Sequence, residues 1–450
     1  MARALPVPQR WQLLRFTLSP AQSLLAGFAA VIVLGGVLLS LPVASETGQP
    51  TPFLTALFTA NSAVCVTGLV VVDTADHYST FGELVILALI QIGGFGYMTS
   101  WALLALLLGW RIGLRERIVL TEAHGLYRVG GVVRFTRRIV ALALIVEAVG
   151  AALLTLRFAA EMPLGRAAYL GVFHSISAFN NAGFDLMGGF RSLTAYVADP
   201  AVSLLVAALV ITGGLGFVVL FDLLGRRLSF HSRAVLVTTA ALLGGGTLAI
   251  LGLEYANART LGALPWPARV LAAFFQAVTP RTAGFNTVEM GALTQPTLML
   301  LVALMFIGAS PGGTGGGIKT TTFLTPLAVI VSTIRGSPEP VLFRRRLPAF
   351  VIHKAVTIAF LAVAFVFTMT VLLTRVEGAD LLPSLFEVTS AFGTVGLSTG
   401  LTPRLSALGR VIIMVTMFTG RVGLLTLAFG LTRRERPVRI RYPEERLYIG

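Results

Sequence analysis

Long runs without a charge dominate this chain, among them Leu24 to Val43, Leu204 to Phe221, Leu298 to Ala309 and Ala359 to Leu373. A run of roughly 20 apolar residues is what a helix needs to cross a bilayer. Only 12% of the residues are charged and 55% are hydrophobic, against about 25% charged in a soluble domain. The chain reads as an all-α polytopic membrane protein. That solvent sets a strict rule. Backbone N–H and C=O groups must be satisfied inside the protein, so irregular backbone at membrane depth has to be enclosed or line water.

The net charge of +15 raises nucleic acid as a partner, and the placement of the basic residues argues against it. On the topology below, 24 of the 35 Lys and Arg fall on one side, in Arg3 to Arg15, Arg111 to Arg138, Arg226 to Arg233, Arg335 to Lys354 and Arg433 to Arg446. That bias follows the positive-inside rule and puts both termini in the cytoplasm of a cell-membrane protein. The basic tail is suited to membrane lipid or a partner protein. Cys65 stands alone, which rules out an internal disulfide or a cysteine-pair metal site, and reads as a small apolar filler. The first apolar run exceeds a signal-peptide core and reads as an uncleaved helix.

Four segments share one ending, in which an apolar helix-like stretch runs into a glycine turn. They are SAVCVTGL (62–69), SAFNNAGF (177–184), VTPRTAGF (278–285) and SAFGTVGL (390–397). Phe58, Phe173, Phe274 and Phe386 stand ten positions before Gly68, Gly183, Gly284 and Gly396. The short stretches before the turns are Phe53 to Ala63, Tyr169 to Ala178, Val270 to Val278 and Leu382 to Ala391. At about ten residues they cannot span, so each dips into the membrane and returns. The spacing predicts four M1-P-M2 units, each a spanning helix, a re-entrant helix, the turn and a second spanning helix. Eight spanning and four re-entrant helices would then surround one pore with pseudo-fourfold symmetry. The units are 22–110, 135–224, 233–334 and 349–431, after an N-terminal segment at 1–21. Cytoplasmic loops at 111–134, 225–232 and 335–348 join them, and a basic tail at 432–450 follows.

Four inward turns suit a cation filter, in which backbone carbonyls replace the hydration shell of the ion. The candidate ion-lining residues are Val66, Thr67 and Gly68; Asn181, Ala182 and Gly183; Thr282, Ala283 and Gly284; and Thr394, Val395 and Gly396. Each short helix also aims its negative C-terminal end at the turn. Asp73, Asp76, Asp185 and Glu289 follow the turns, either as a cation-concentrating mouth or as ordinary solvated charge. Arg281, inside the third turn, is expected to support the filter from behind.

A second repeat lies in the second spanning helices: GGFG (93–96), GGLG (213–216), GGTG (312–315) and GRVG (420–423). The first two copies read as close helix packing. The third belongs to GASPGGTGGGIKTTT (308–322), where Pro311 is followed by Gly312, Gly313, Thr314, Gly315, Gly316 and Gly317. No stable helix survives that composition. Ile318 separates the last glycine from Lys319, so the stretch fails as a phosphate-binding loop. It is expected to be an intramembrane gating loop.

The turns VCVTGL, FNNAGFD, TPRTAGFNT and TVGLSTG, with GASPGGTGGGIKT, resemble the Trk/Ktr/HKT superfamily of potassium transporters, from about Ser19 onward. Within it the chain is most similar to the membrane (KtrB-type) subunits of Ktr systems. The resemblance implies K+ bound at the filter carbonyls, a homodimer, and a cytoplasmic ring of RCK regulatory subunits (KtrA-type). ATP or ADP would bind that ring and not this chain. It also implies that Gly68 favours potassium, since plant relatives with Ser there are sodium-selective.

Arg421 takes the place of the second glycine of GGxG, and an Arg within an apolar helix is functional by default. It would face the pore as a barrier to cations or pair with carbonyls of the glycine loop. Lys319 is either a second gate charge or a contact with cytoplasmic water. No enzyme is expected. The five histidines are scattered, His174 reads as a helix-packing residue, and no nucleophile–base pair is visible. The rival is a sodium- or proton-coupled secondary transporter. Such proteins use broken helices too, but with inverted repeats and midplane carboxylates. Here the repeats are parallel and Glu147 is nearly the only mid-helix acid.

Overall fold

The computed structural model describes residues 20–96, 99, 132–337 and 339–431. The N-terminal segment up to residue 19, the end of unit one with residues 111–131, and the tail from 432 lie outside the described residues. Four described helices are long and apolar enough to cross a membrane: Gln22–Ser40, Val132–Phe158, Phe230–Glu254 and Ala349–Glu377. Between 22% and 39% of their apolar windows is buried. The rest faces outward, as with Phe350, Phe360 and Phe367. An apolar surface of that extent is a liability in water and a fit for lipid.

Each long helix is followed by a short one: Phe53–Cys65, Leu164–Phe179, Trp266–Val278 and Leu381–Gly393. They have 13, 16, 13 and 13 residues. At a rise of about 1.5 Å per residue they stay short of the roughly 30 Å hydrocarbon core. Pro52, Pro163 and Pro265 precede three of them, where a missing backbone donor costs nothing. Their C-terminal halves are buried almost completely, with Phe58, Phe173 and Phe386 at 0% exposure.

The third unit departs from the sequence expectation. Its fully buried Phe is Phe275, while Phe274 is only partly buried. The turn explains the shift. In the other units the helix end closes with Thr67 N–Ser62 O, Ala182 N–Ser177 O and Val395 N–Ser390 O bonds, each spanning five residues. In the third it closes with Ala283 N–Thr279 O, spanning four. One residue is missing between helix and glycine, so the Phe counterpart lies nine positions before Gly284.

The third unit's second helix is broken, as expected, but the unbroken second helix expected in the other three units is corrected. Thr80–Phe95 stops at Gly96 (φ 76°), Pro200–Leu215 breaks at Gly216 (φ 91°), and Ala407–Val422 breaks at Gly423 (φ 89°). Beyond Gly216 the chain continues as Phe217–Leu224, bent by 102°. Gln295–Phe306 gives way to irregular chain at 307–319 before Thr320–Ile334. The expected loop at 308–322 is therefore shorter at its end, because 320–322 already form the first helical turn. The first glycine of each motif does pack closely in three units: a Cβ on Gly93, Gly213 or Gly420 would overlap the carbonyl oxygen of Val64, Phe179 or Phe392. The last glycine ends the helix in a left-handed conformation that side chains resist.

The loop at 335–348 folds into a hairpin, Val341–Leu342 against Arg345–Arg346, turning at left-handed Phe343 and Arg344.

Gly213→Ala should destabilise the protein by about 1–3 kcal/mol, because the obstacle is backbone and cannot swing away. Gly244 has nothing within 4 Å of an added Cβ, so Gly244→Ala should be neutral or stabilising by up to about 1 kcal/mol. Thermal unfolding of the two variants in detergent checks the contrast.

Candidate functional site: four glycine turns around one axis

The four turns meet. A Cβ on Gly68 would lie 2.5 Å from the Ala182 oxygen, one on Gly183 2.8 Å from the Ala283 oxygen, and one on Gly284 2.6 Å from the Val395 oxygen. One on Gly396 would overlap the Thr67 oxygen, which closes the ring. The expected ion-lining residues of all four segments therefore stand together, in chain order around a circle.

Their backbone alternates. Val66 (φ 55°), Asn181 (58°), Thr282 (68°) and Thr394 (50°) are left-handed, as are Gly68 (88°), Gly183 (71°), Gly284 (76°) and Gly396 (97°). The residues between them are not. Left-handed conformations at alternate positions undo the usual reversal of successive peptide planes, so consecutive carbonyls can face one side. Val66, Asn181, Thr282 and Thr394 were expected to line the ion path, but nothing in the sequence announced their left-handed backbone, which is unfavourable above all for β-branched Val66, Thr282 and Thr394. A cost repeated at four equivalent places points to function.

A hydroxyl near each helix end holds its turn. Ser62 Oγ accepts from the Gly68 amide and Ser390 Oγ from the Gly396 amide, both at 3.1 Å. Ser177 Oγ donates to the Phe184 oxygen at 2.7 Å, and Thr279 Oγ1 donates to the Phe285 oxygen. The signal was available, since Ser or Thr stands near the start of each segment. The Asn181 side chain ties its turn to three neighbouring segments, the third turn among them. Its Nδ2 donates to the Val210 and Arg281 oxygens at 3.3 Å, and its Oδ1 accepts from Thr314 Oγ1 at 2.8 Å.

The glycine loop lies directly against the inner end of the turns. Gly316 N donates to Thr394 Oγ1 at 3.0 Å, and a Cβ on Gly315 would overlap Thr282 Oγ1. The loop is ordered by its neighbours: Ser310 N and Thr314 N bond to the Gly214 and Gly213 oxygens, Phe217 N to Gly312 O, and Gly317 N to Gly420 O. Lys319 Nζ donates within the loop, to Gly315 O at 2.6 Å and Gly316 O at 3.4 Å. Pro311 and Gly313 lie against the Gly216 break.

Arg421 reaches the same level. Its Nη1 donates to the Thr314 oxygen and its Nη2 to the Gly93 oxygen, with Gly94 O at 3.4 Å. Among the described residues no carboxylate pairs with it. It joins the fourth unit to the loop and to the first unit's helix end. Arg281 is buried at 7% exposure within the third turn, with Nε unpartnered.

On the side away from the glycine loop the four glycines floor a cavity of about 610 Å³, termed the outer cavity below. Asp73, Asp185 and Glu289 line it, and so do Arg191 and Arg259, which the sequence reading had not placed there. Asp76 is not part of the lining; it accepts from the Gly189 amide at 2.9 Å. Burial, reinforced by the charge of Asp73 and opposed by the Met187 amide, raises the Asp185 pKa to about 6.

Behind the second turn Glu147 accepts from Gln91 Nε2 at 3.0 and 3.1 Å and from Asn180 Nδ2 at 2.9 Å. It ties two helices to the residue before Asn181, a positioning role that sequence alone left open. His174 is buried beside the same turn. Among the described residues no cluster of His, Cys, Asp and Glu is suited to a metal ion.

Helices that face lipid, enclosing four inward turns and an irregular loop, define an all-α membrane transporter. A sequence profile of the TrkH family, described as cation transport protein, matches residues 26–435, and the chain belongs to that family. It is 42% identical to Ktr system potassium uptake protein B of Bacillus subtilis, over 97% of each chain. It is 41% identical to the protein of that name in Vibrio alginolyticus, over 95% of this chain and 94% of the other. Potassium/sodium uptake protein NtpJ of Enterococcus hirae is 37% identical, over 97% and 98%. The crystal structure of the potassium transporter TrkH from Vibrio parahaemolyticus superposes with a TM-score of 0.69 at 18% identity, covering 93% of this chain and 86% of that one. That likeness bears on the fold alone.

With its pKa raised to about 6, Asp185 loses its charge over a pH range in which an ordinary Asp stays ionised. Apparent cation affinity should therefore fall as external pH drops through about 6. Asp185→Asn should lower affinity at pH 7.5 and flatten that segment of the profile, measured as uptake against external pH.

Proposed function

We propose that this chain is a channel-like potassium uptake protein whose four turns form a carbonyl selectivity filter. The observation that carries it is the closed circle of Gly68, Gly183, Gly284 and Gly396, with left-handed residues at alternate positions, beneath an acidic outer cavity. On this reading the chain comprises four M1-P-M2 units in pseudo-fourfold order, with the boundaries given above. The cation sheds its water in the outer cavity and meets the carbonyls of residues 66–68, 181–183, 282–284 and 394–396 in its place. Both termini lie in the cytoplasm.

The loop at 307–319 is the gate, held against the filter by Asn181 and Thr394, and Arg421 is its latch. A guanidinium bonded to the Thr314 and Gly93 carbonyls secures the loop and sets a positive charge on the ion path. Lys319 stiffens the loop from within. Opening requires breaking those bonds, and a nucleotide-binding RCK subunit acting from the cytoplasm on a homodimer of this chain would supply the force. The curated relatives named as Ktr system proteins support a multi-component assembly. NtpJ, named for potassium and sodium uptake, supports coupled or mixed ion movement as the second reading.

Rubidium flux into liposomes decides between the two. A rate set by the potassium gradient alone is expected, and a strict requirement for a sodium or proton gradient would reverse the choice. In the same assay Gly68→Ser should lower the K+/Na+ flux ratio, because its side chain meets the Ala182 carbonyl.

Arg421→Ala should raise basal flux on the order of tenfold, the effect of losing one charge-assisted hydrogen bond from the closed state. Unchanged flux and unchanged regulation would remove Arg421 from the gate.

A further inference from the structure

In each short helix the fully buried Phe is followed by a polar residue: Thr59, His174, Gln276 and Glu387. All four are at most 1% exposed. Three of them bond to the chain that leaves the turn. Glu387 Oε1 accepts from Ser398 Oγ at 2.6 Å and from the Thr399 amide at 2.9 Å, while Oε2 accepts from Thr402 Oγ1 at 2.5 Å. His174 Nδ1 donates to the Leu170 oxygen at 2.7 Å, which leaves Nε2 as the acceptor for the Leu186 amide at 3.4 Å. Thr59 Oγ1 accepts from Tyr78 OH at 3.1 Å.

Thr399 and Leu186 hold the same place, three residues beyond Gly396 and Gly183. Thr287 holds it in the third unit. There the bond is missing: both amide atoms of Gln276 and the hydroxyl of Thr287 are buried without a partner. Buried polar groups are nearly always paired, so an orphan in one of four equivalent slots calls for a reason.

We propose that the residue after the buried Phe is the positioning residue for the filter strand beyond it. Glu387 and His174 fix the fourth and second strands three residues beyond the glycine, Thr59 holds the first unit further on at Tyr78, and the third strand, with no bond at Gln276 at either distance, is the compliant one. The hydroxyls at the helix ends fix only the inner part of each turn. A second hold further out keeps the carbonyls at a set radius, and a charged acceptor with several donors in a low-dielectric interior is the stiffest such hold. The compliant strand belongs to the unit that also carries the irregular loop at 307–319, so movement of that loop meets the filter where it yields most. This inference rests on the filter reading above.

The test is the K+/Na+ flux ratio of purified protein in liposomes. The ratio is chosen because loss of folded protein lowers both fluxes alike. Glu387→Ala should lower the ratio by about fivefold or more, roughly the worth of one hydrogen bond. Glu387→Gln keeps an acceptor at Oε1 and a donor towards Thr402, and should stay within about twofold of wild type. Gln276→Leu removes an amide that bonds to nothing and should also stay within about twofold. If Glu387→Ala does not fold, His174→Leu takes its place with the same expected loss. A wild-type ratio in the tether variants, or an equal loss in Gln276→Leu, would overturn the inference. Wild-type protein without selective flux would instead strike the filter reading beneath it.

Discussion

Backbone that leaves the helical path inside a membrane has to find every hydrogen-bond partner within the protein. The rest of this structure follows from that demand. The chain at 307–319 can donate to and accept from itself only in part, through Gly308 N–Ile318 O, Ala309 N–Gly316 O and Gly313 N–Ser310 O. The remainder comes from Gly213, Gly214 and Phe217 of the second unit and Gly420 of the fourth. Those groups are available because the second helices end or break at the same level. A broken helix in one unit thus needs broken helices in its neighbours, and the glycine motif recurs with variation for that reason.

The same demand shapes the four turns. Each holds two left-handed residues, and a hydroxyl near the end of its short helix bonds the chain that follows. Lipid tails are as apolar as the side chains they touch, so no hydrophobic force presses the units together. Close packing of glycine on carbonyl and bonds such as Asn181–Thr314 do that work instead. The buried Gln91–Glu147–Asn180 cluster adds a rigid corner behind the second turn.

Charge then separates the units. Among the described residues Arg421 has only carbonyl partners, and they come from the loop and from the first unit. On the proposed reading, an arginine held only by carbonyls is released when the loop shifts. A carboxylate partner would have made the contact permanent. The outer cavity is balanced differently, with three carboxylates against two guanidiniums, leaving a modest attraction for cations and no deep trap.

The sequence by itself determined the membrane class, the long helices, the four turns and their glycines, and the place where the third unit loses its helix. These are local matters: run length, glycine, proline and helix period report backbone preference over a few residues. Tertiary structure decided the rest. It chose left-handed backbone at Val66, Asn181, Thr282 and Thr394, where no local preference demands it. It moved the buried Phe from Phe274 to Phe275, because a one-residue shortening shows only when the turns are laid side by side. It gave Arg421 the Thr314 and Gly93 carbonyls, more than a hundred residues away in either case. Partners of that kind are set by which chains meet in space, and no window along the sequence contains both ends of the contact.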